Sequence, residues 1–246
     1  MVQTDAMKAV LVRHLSPDLS GVELAEIERP QGEILIRVRA ASLNYPDLLM
    51  TQGKYQFKPD VPFVSGLEMA GEVVKAPKAS GLKPGDKVRG GAKTGAFAEY
   101  AALPAASLRT IPAGLDFASA AAMGAAYQTA YVALVEIGGL RAGQTVLVHG
   151  ASGGVGLAAC DLARAMGAQV IAATHSADKL KQLHTIAKPH AAICNTGRFR
   201  EDVAEITDGR LCDLVYDPIG EDVFDEKRSV SALLAENLDV RDRGPP

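Results

Sequence analysis

The stretch VLVHGASGGVG, Val146 to Gly156, followed at once by LAACDLARAMGA, decides the fold of the second half of this chain. An apolar, β-branched strand feeds a glycine-rich turn, and a helix of small apolar residues follows. That order brings a backbone turn and a helix N-terminus to one point, where the unpaired N–H groups and the helix dipole favour an anion such as a pyrophosphate. Gly150 permits the tight turn, Gly153 leaves no side chain between backbone and phosphate, and Gly156 lets helix and strand pack closely. Glycine triplets also occur in ordinary turns. The strand before and the helix after give this one its meaning. It predicts a dinucleotide site, with Gly150, Ser152, Gly153, Gly154, Val155 and Gly156 among the cofactor-binding residues.

Reading outward, helices and strands alternate from about Gly124. A helix is expected over Ala125–Ile137, then strand Thr145–His149 and the helix after the glycines. Strand Gln169–Ala173, helix Ala177–Ala187, strand Ala191–Ile193, helix Arg200–Ile206 and strand Asp213–Tyr216 follow. Such alternation implies right-handed crossovers and a doubly wound parallel sheet. Before about Met123 the rhythm differs, with short strands broken by glycine and proline. Lys8–Arg13 and Glu33–Ala41 read as strands, Gly85–Val88 as a turn entering one, and Phe97–Ala102 as another. Pro46–Gly53 is the clearest helix there, with proline suited to its first turn. The alanine-rich run Ala118–Ala126 is expected to pack between two domains. The expected organisation is a β-rich domain over residues 1–123, an α/β domain over 124–226 and a divergent tail over 227–246.

The chain has 246 residues, 48% of them apolar and 22% charged, with no tryptophan and a net charge of -3. That composition is globular, and the slight acidity gives no footprint for nucleic acid. No apolar run reaches the length of a membrane span, and MVQTDAMKAV lacks the layout of a secretory signal. Cys160, Cys194 and Cys212 form no close pair, which suits free thiols in a reducing cytoplasm.

The choice of dinucleotide turns on one strand end. An NAD site commonly places a carboxylate about 20 residues past the glycines, on the ribose 2′-hydroxyl. Here the position falls on Ala173 and Thr174, followed by His175, Ser176, Ala177, Asp178 and Lys179. A carboxylate would repel a 2′-phosphate, so its absence favours NADPH. Thr174, Ser176 and Lys179 are the candidates at this end, with Ser176 as a hydrogen-bond donor and Lys179 as a positive charge. Lys179 also fits a plain solvated helix position.

With these residues in view, the chain resembles the zinc-independent quinone oxidoreductases of the medium-chain dehydrogenase/reductase superfamily. The motifs, from Met7 to about Glu226, are EILIRVRAASLNYPDLLMTQGKYQFKPDVPFVSGLEMAGEV, GDKV, GAFAEY, TAYVAL, HGASGGVGLAA and VYDPIG. The resemblance implies a GroES-like domain joined to a Rossmann domain with the active site in the cleft between them. It also implies NADPH, a small-molecule substrate such as a quinone or enone, and commonly a homodimer. Zinc-dependent relatives carry a cysteine at the place of Asn44 and a histidine at the place of Leu67. Asparagine and leucine cannot substitute for thiolate and imidazole, so no metal is expected.

Without a metal, the cofactor supplies the hydride and the protein supplies position and polarity. Asn44 resembles the family's cleft asparagine, able to hydrogen-bond cofactor or substrate oxygen, with an Asx turn before the Pro46 helix as the alternative. Tyr55 matches the proton-donor tyrosine of related enoyl-thioester reductases, and also suits a loop tyrosine packed over the cleft. Asn44 and Tyr55 are the catalytic candidates. Thr129 resembles the threonine beside the nicotinamide, with helix packing as the alternative, and Glu68 reads as a structural carboxylate rather than a base. The function expected is hydride transfer from NADPH to quinones or other conjugated carbonyl compounds, with enoyl-thioester reduction as the alternative.

After VYDPIGEDVFDE the text departs from the family and ends KRSVSALLAENLDVRDRGPP, with no apolar strand. Ser231–Leu238 could still form part of a helix, and DVRDRGPP reads as a solvated tail. Only strands 3, 2, 1 and 4 of a 3-2-1-4-5-6 sheet are then expected, leaving strand 4 as an edge and the dimer edge missing. A truncated or frame-shifted gene product, acting as a non-catalytic nucleotide-binding fragment, is the rival expectation. Thr196, where relatives often carry a tyrosine near the adenosine phosphate, and Lys188-Pro189 are smaller departures.

Overall fold

The structure, a computed structural model, describes residues 6–194 and 199–219, and the chain divides into two compact units, Met1–Ala125 and Ala126–Pro246. Residues 227–246, the possible helix Ser231–Leu238 and Thr196 lie outside the described residues.

The first unit contains strands β1 (Ala6–Val12), β2 (Val22–Glu28) and β3 (Ile34–Ser42), helix α1 (Tyr45–Thr51), and strands β4 (Phe63–Val64) and β5 (Glu68–Lys75). Strands β6 (Lys87–Gly91), β7 (Tyr100–Leu103) and β8 (Leu108–Thr110) and helix α2 (Phe117–Ala122) complete it. A three-stranded sheet runs β2-β1-β4, and a five-stranded antiparallel sheet runs β7-β3-β5-β6-β8. Ile34, Ile36, Met69, Val73 and Val88 form the core of the larger sheet, and Val12 and Phe63 pack with Met50 of α1. Close approach of β3 to β5 requires a glycine, because a Cβ on Gly71 would sit 2.2 Å from the Arg37 carbonyl oxygen.

Ala120 and Ala121, expected to pack between domains, are instead buried against Ala70 of the first unit's own sheet. The reason for this correction is steric. Six-residue α2 carries a narrow face of alanines, small enough to lie close on Ala40 and Ala70.

The second unit comprises α3 (Ala125–Tyr131), a π-helical turn over Val132–Ile137, β9 (Thr145–Val148), α4 (Gly154–Ala165) and β10 (Gln169–Thr174). Then come α5 (Ala177–Ile186), β11 (Ala191–Cys194), α6 (Phe199–Ile206) and β12 (Leu214–Tyr216). Among the described residues its sheet runs β11-β10-β9-β12, every pair parallel, which is the 3-2-1-4 order expected of a Rossmann-like domain. Strand periodicity divides β9 between two cores. Val146 and Val148 join Ala158, Ala159 and Leu183 on one face, while Leu147 joins Ile171, Val203 and Val215 on the other.

The single helix expected over Ala125–Ile137 is also corrected. It widens after Tyr131, where Gly138 N–H reaches five residues back to the Ala133 carbonyl at 2.9 Å. Such π turns carry no simple sequence signal. The widened turn still leaves both Ala133 and Leu134 in the core. Tyr127 ties α3 to α4 by donating its hydroxyl to Asp161 at 2.9 Å, and Arg164 holds the same carboxylate at 2.8 Å. No helix among the described residues is long and apolar enough to cross a membrane.

Candidate functional site

The predicted residues fall into two groups, one in each unit. In the second unit, β9 ends at Val148 and the chain turns through Gly150, whose φ of +60° lies in the left-handed region that glycine adopts freely. The turn is held by Gly153 N–H donating to the Gly150 carbonyl at 2.9 Å and Ala151 N–H to the Ala173 carbonyl at 3.0 Å. Helix α4 then starts at Gly154, and its N-cap, Gly153, has no side chain to cap it. The N–H groups of the first helical turn, at Gly154, Val155 and Gly156, have no earlier carbonyl within the helix to bond. Gly153 and Gly154 are exposed, and a Cβ on Gly154 would meet nothing within 4 Å. Gly156 is the opposite case: a Cβ there would sit 2.2 Å from the Gly150 carbonyl oxygen. Two glycines thus keep the outer surface bare, and one lets helix and turn touch. This arrangement fits an anionic diphosphate.

The rest of the second-unit group supports the turn. Ser152 Oγ lies 3.2 Å from Thr174 Oγ1, and Ser176 N–H donates to the same Thr174 oxygen at 3.3 Å. Thr174 is buried, so its hydroxyl braces two turns at the end of β10. Ser176 caps α5, its Oγ accepting the Lys179 N–H at 3.4 Å, while its own hydroxyl proton is still available to a ligand. Lys179 is exposed on the first turn of α5, and Thr129 is exposed on α3. No carboxylate stands at the end of β10, where Thr174 is followed by the exposed His175.

In the first unit, Asn44 is the N-cap of α1 and forms a capping box with Asp47, its N–H donating to Asp47 Oδ2 at 2.7 Å. Its side-chain Nδ2 donates to Glu68 Oε1 at 2.8 Å and to the Ser42 carbonyl at 3.3 Å. The second Glu68 oxygen accepts the Ala125 N–H at 2.7 Å. Glu68 is buried at the start of β5, and Gly124 makes room for it, since a Cβ there would sit 2.0 Å from Oε2. The structure therefore brings Asn44 and Glu68 together, and it gives Glu68 the bracing part that its surroundings in sequence suggest. It does not leave Asn44 free to donate toward a substrate oxygen, because both amide protons are engaged.

Tyr55 is half-buried against Val12, Met50 and Phe63, beside Phe57 and Leu67, and its hydroxyl has no hydrogen-bond partner among the described residues. Asp47 is a site residue that sequence reasoning misses. It is buried, and burial raises its carboxyl above the ordinary carboxylate value, partly offset by the N–H groups of Asn44 and Leu67. The only signal in the sequence is its place three residues into a helix behind an N-cap asparagine. Cys160 and Cys212 are buried thiols pushed up to about 12, first by burial and then by the adjacent Asp161 and Asp213. No group of three or more His, Cys, Asp or Glu side chains among the described residues fits a metal ion.

Comparison with known proteins agrees with this geometry. Residues 30–113 match the alcohol dehydrogenase GroES-like domain, and residues 154–233 match the family described as zinc-binding dehydrogenase. The chain is 38% identical over 195 residues to a quinone oxidoreductase-like protein 2 homolog of Nematostella vectensis, covering 78% of this chain and 53% of that relative. It therefore spans about half the length of that curated relative. Among solved structures, a probable oxidoreductase from Mycobacterium abscessus is 37% identical with a TM-score of 0.88, over 95% of this chain and 76% of that one. A mycobacterial protein solved in complex with NADPH is 28% identical with a TM-score of 0.81, over 93% of this chain and 72% of that one.

Proposed function

Because the chain belongs to the quinone oxidoreductase-like family of the medium-chain dehydrogenase/reductase superfamily, we propose that it binds NADPH and serves hydride transfer to quinones or other conjugated carbonyl compounds, without zinc. The observation that carries this reading is the uncapped start of α4 behind the exposed Gly153 and Gly154. Three N–H groups and the positive end of a 12-residue helix converge there, where Gly153 and Gly154 put no side chain in the way. The bound dinucleotide would supply the hydride. The N–H groups of Gly154, Val155 and Gly156 would hold its diphosphate. Ser176 and Lys179 would hold the 2′-phosphate, which the missing carboxylate at the end of β10 permits. Thr174 and Ser152 brace that end rather than reach for it. Asn44, Tyr55 and Thr129 would serve the nicotinamide and substrate end, with Tyr55 as a hydroxyl that no described protein group already uses. The reading needs no zinc, because Asn44 and Leu67 stand where zinc-dependent relatives carry cysteine and histidine and cannot replace a thiolate or an imidazole. A cytoplasmic location, where unpaired thiols such as Cys160, Cys194 and Cys212 persist, belongs to the same proposal.

The test is calorimetric titration of the chain with NADPH and with NADH. Saturable binding that prefers NADPH, followed by NADPH oxidation with a quinone or an enone, supports the reading. Saturable binding without oxidation of either class leaves a nucleotide-binding protein and removes the hydride transfer. No binding of either nucleotide removes the whole reading.

A further inference from the structure

We infer that Glu68 locks the Asn44 amide with its carbonyl oxygen turned away from the carboxylate, so that Asn44 binds an O–H or N–H donor of the ligand and does not polarise the carbonyl to be reduced. This rests on the site proposed above and assigns the direction of one of its hydrogen bonds. The lock follows from two acceptors around one amide group. A carboxylate accepts hydrogen bonds and a backbone carbonyl does the same, so the group facing Glu68 and Ser42 has to be the NH2. Nδ2 meets both, at 2.8 and 3.3 Å. Turning the amide over would set its oxygen against two other oxygens, one of them on a buried carboxylate.

Glu68 is itself held from the far side, where Oε2 accepts the Ala125 N–H at 2.7 Å and the bare Gly124 leaves space for it. The Asn44 backbone is fixed by the bond from its N–H to Asp47 Oδ2 at 2.7 Å. Both donors of the side chain are thus engaged. The Asp47 N–H donates to the Asn44 backbone carbonyl at 3.0 Å, and Oδ1, on a residue that is only half-buried, keeps lone pairs for a donor. What remains to a ligand is an acceptor. A quinone or enone oxygen would be repelled there. A ribose hydroxyl or carboxamide N–H of the cofactor would be held, as would a hydroxyl on a substrate. Glu68 is a positioning residue that sets the polarity of its neighbour.

The test compares the full chain with Glu68→Gln and with the exchanged pair Glu68→Gln/Asn44→Asp. It reads NADPH affinity by calorimetry, kcat and KM for a quinone, and the side-chain NH2 resonances of Asn44. In Glu68→Gln the new amide can keep the Ala125 bond through its oxygen, but it then turns an NH2 toward Asn44 and reverses or scrambles that side chain. The exchanged pair restores an oxygen facing the ligand. We expect Glu68→Gln to weaken one binding constant by about 3- to 10-fold, the size of one neutral hydrogen bond, with kcat little changed and affinity regained in the exchanged pair. A loss in NADPH affinity identifies the cofactor as the donor, and a loss confined to KM identifies the substrate. Equal constants in wild type and Glu68→Gln overturn the inference, as does a loss that the exchanged pair fails to recover. If the wild type binds no NADPH, the functional reading fails and the lock is judged by the resonances. Slow-exchanging Asn44 protons that Glu68→Gln displaces uphold it, and fast-exchanging ones overturn it. Should Glu68→Gln not fold, the exchange rate of those protons in the wild type decides in the same way.

Discussion

Replacing Gly156 by alanine separates the packing role of one glycine from the binding role of its neighbour. A Cβ at 156 would lie 2.2 Å from the Gly150 carbonyl oxygen, 2.7 Å from Ala151 Cα and 2.8 Å from the Gly150 carbonyl carbon. All three are backbone atoms, so no rotamer change relieves the clash. Ordinary carbon–oxygen contact begins near ~3.3 Å, and the helix and turn must therefore part by roughly 1 Å. Parting them strains the Gly153-to-Gly150 and Ala151-to-Ala173 hydrogen bonds at 2.9 and 3.0 Å. Overpacking costs about 1–3 kcal/mol and each weakened bond about 0.5–1.5. Alanine regains about 1 kcal/mol of helix propensity. The net expectation is a loss of about 1–5 kcal/mol, or a fall in Tm of about 2–20 °C at roughly 2–4 °C per kcal/mol for a chain of this size. Gly154→Ala is the control, because its methyl meets nothing within 4 Å. It should leave Tm unchanged or slightly raised, yet weaken NADPH, since the methyl occupies space proposed for the diphosphate. Thermal unfolding followed by circular dichroism, with calorimetry on both variants, reads the two effects separately. A Gly156→Ala protein as stable as the wild type would refute the packing argument.

The buried thiols of Cys160 and Cys212, at about 12, should resist a thiol reagent at pH 8, so that at most Cys194 reacts in the native chain and all three react after denaturation. Prompt reaction of two or more native thiols would contradict this. Asp47 has a folded carboxyl pKa raised above 3.8 by burial, so the native state holds its proton more tightly and this residue's contribution to stability falls as pH rises from near 3.8 through the folded value. Asp47→Asn, compared with wild type by urea unfolding at pH 4 and pH 7, should gain relative to wild type at the higher pH; an identical difference at both would remove the argument. Tyr55→Phe deletes a hydroxyl that holds no other residue among those described, so stability should be unaffected. Enoyl-thioester reduction should fall by about 10²-fold or more if that hydroxyl donates the proton, while quinone reduction stays within about threefold.

The second unit is legible in the sequence because its strands are short apolar runs between glycine turns and helices. β9, β10, β11 and β12 lie within a residue or two of the expected ends. The first unit is less so. Strand β5, EMAGEVVK, lacks an alternating pattern because its first four residues are all buried, in a central strand paired with β3 along one edge and β6 along the other. Strand β2 carries three glutamates and mostly exposed or half-exposed positions, so nothing marks it as a partner for β1. The turn around Gly150 can be read locally, since its parts lie within a dozen residues. The Asn44, Glu68 and Ala125 contacts join residues 24 and 57 positions apart, and no local pattern encodes them. The direction of the Asn44 amide follows only from those contacts.

The order of the parallel sheet also fixes a timetable for synthesis. Strand β9 is central, yet both its neighbours are translated after it, and Val146 pairs with Leu214, 68 residues downstream (214 less 146). At about 5–20 residues per second, a nascent chain carries that strand with one side open for roughly 3–14 s. The β1–β2 hairpin needs no such wait, because Val12 pairs with Val22. Ribosome-stalled chains of increasing length should therefore become protease-resistant in the first unit well before the second. Apolar β9 is the segment for which a holding chaperone would matter most.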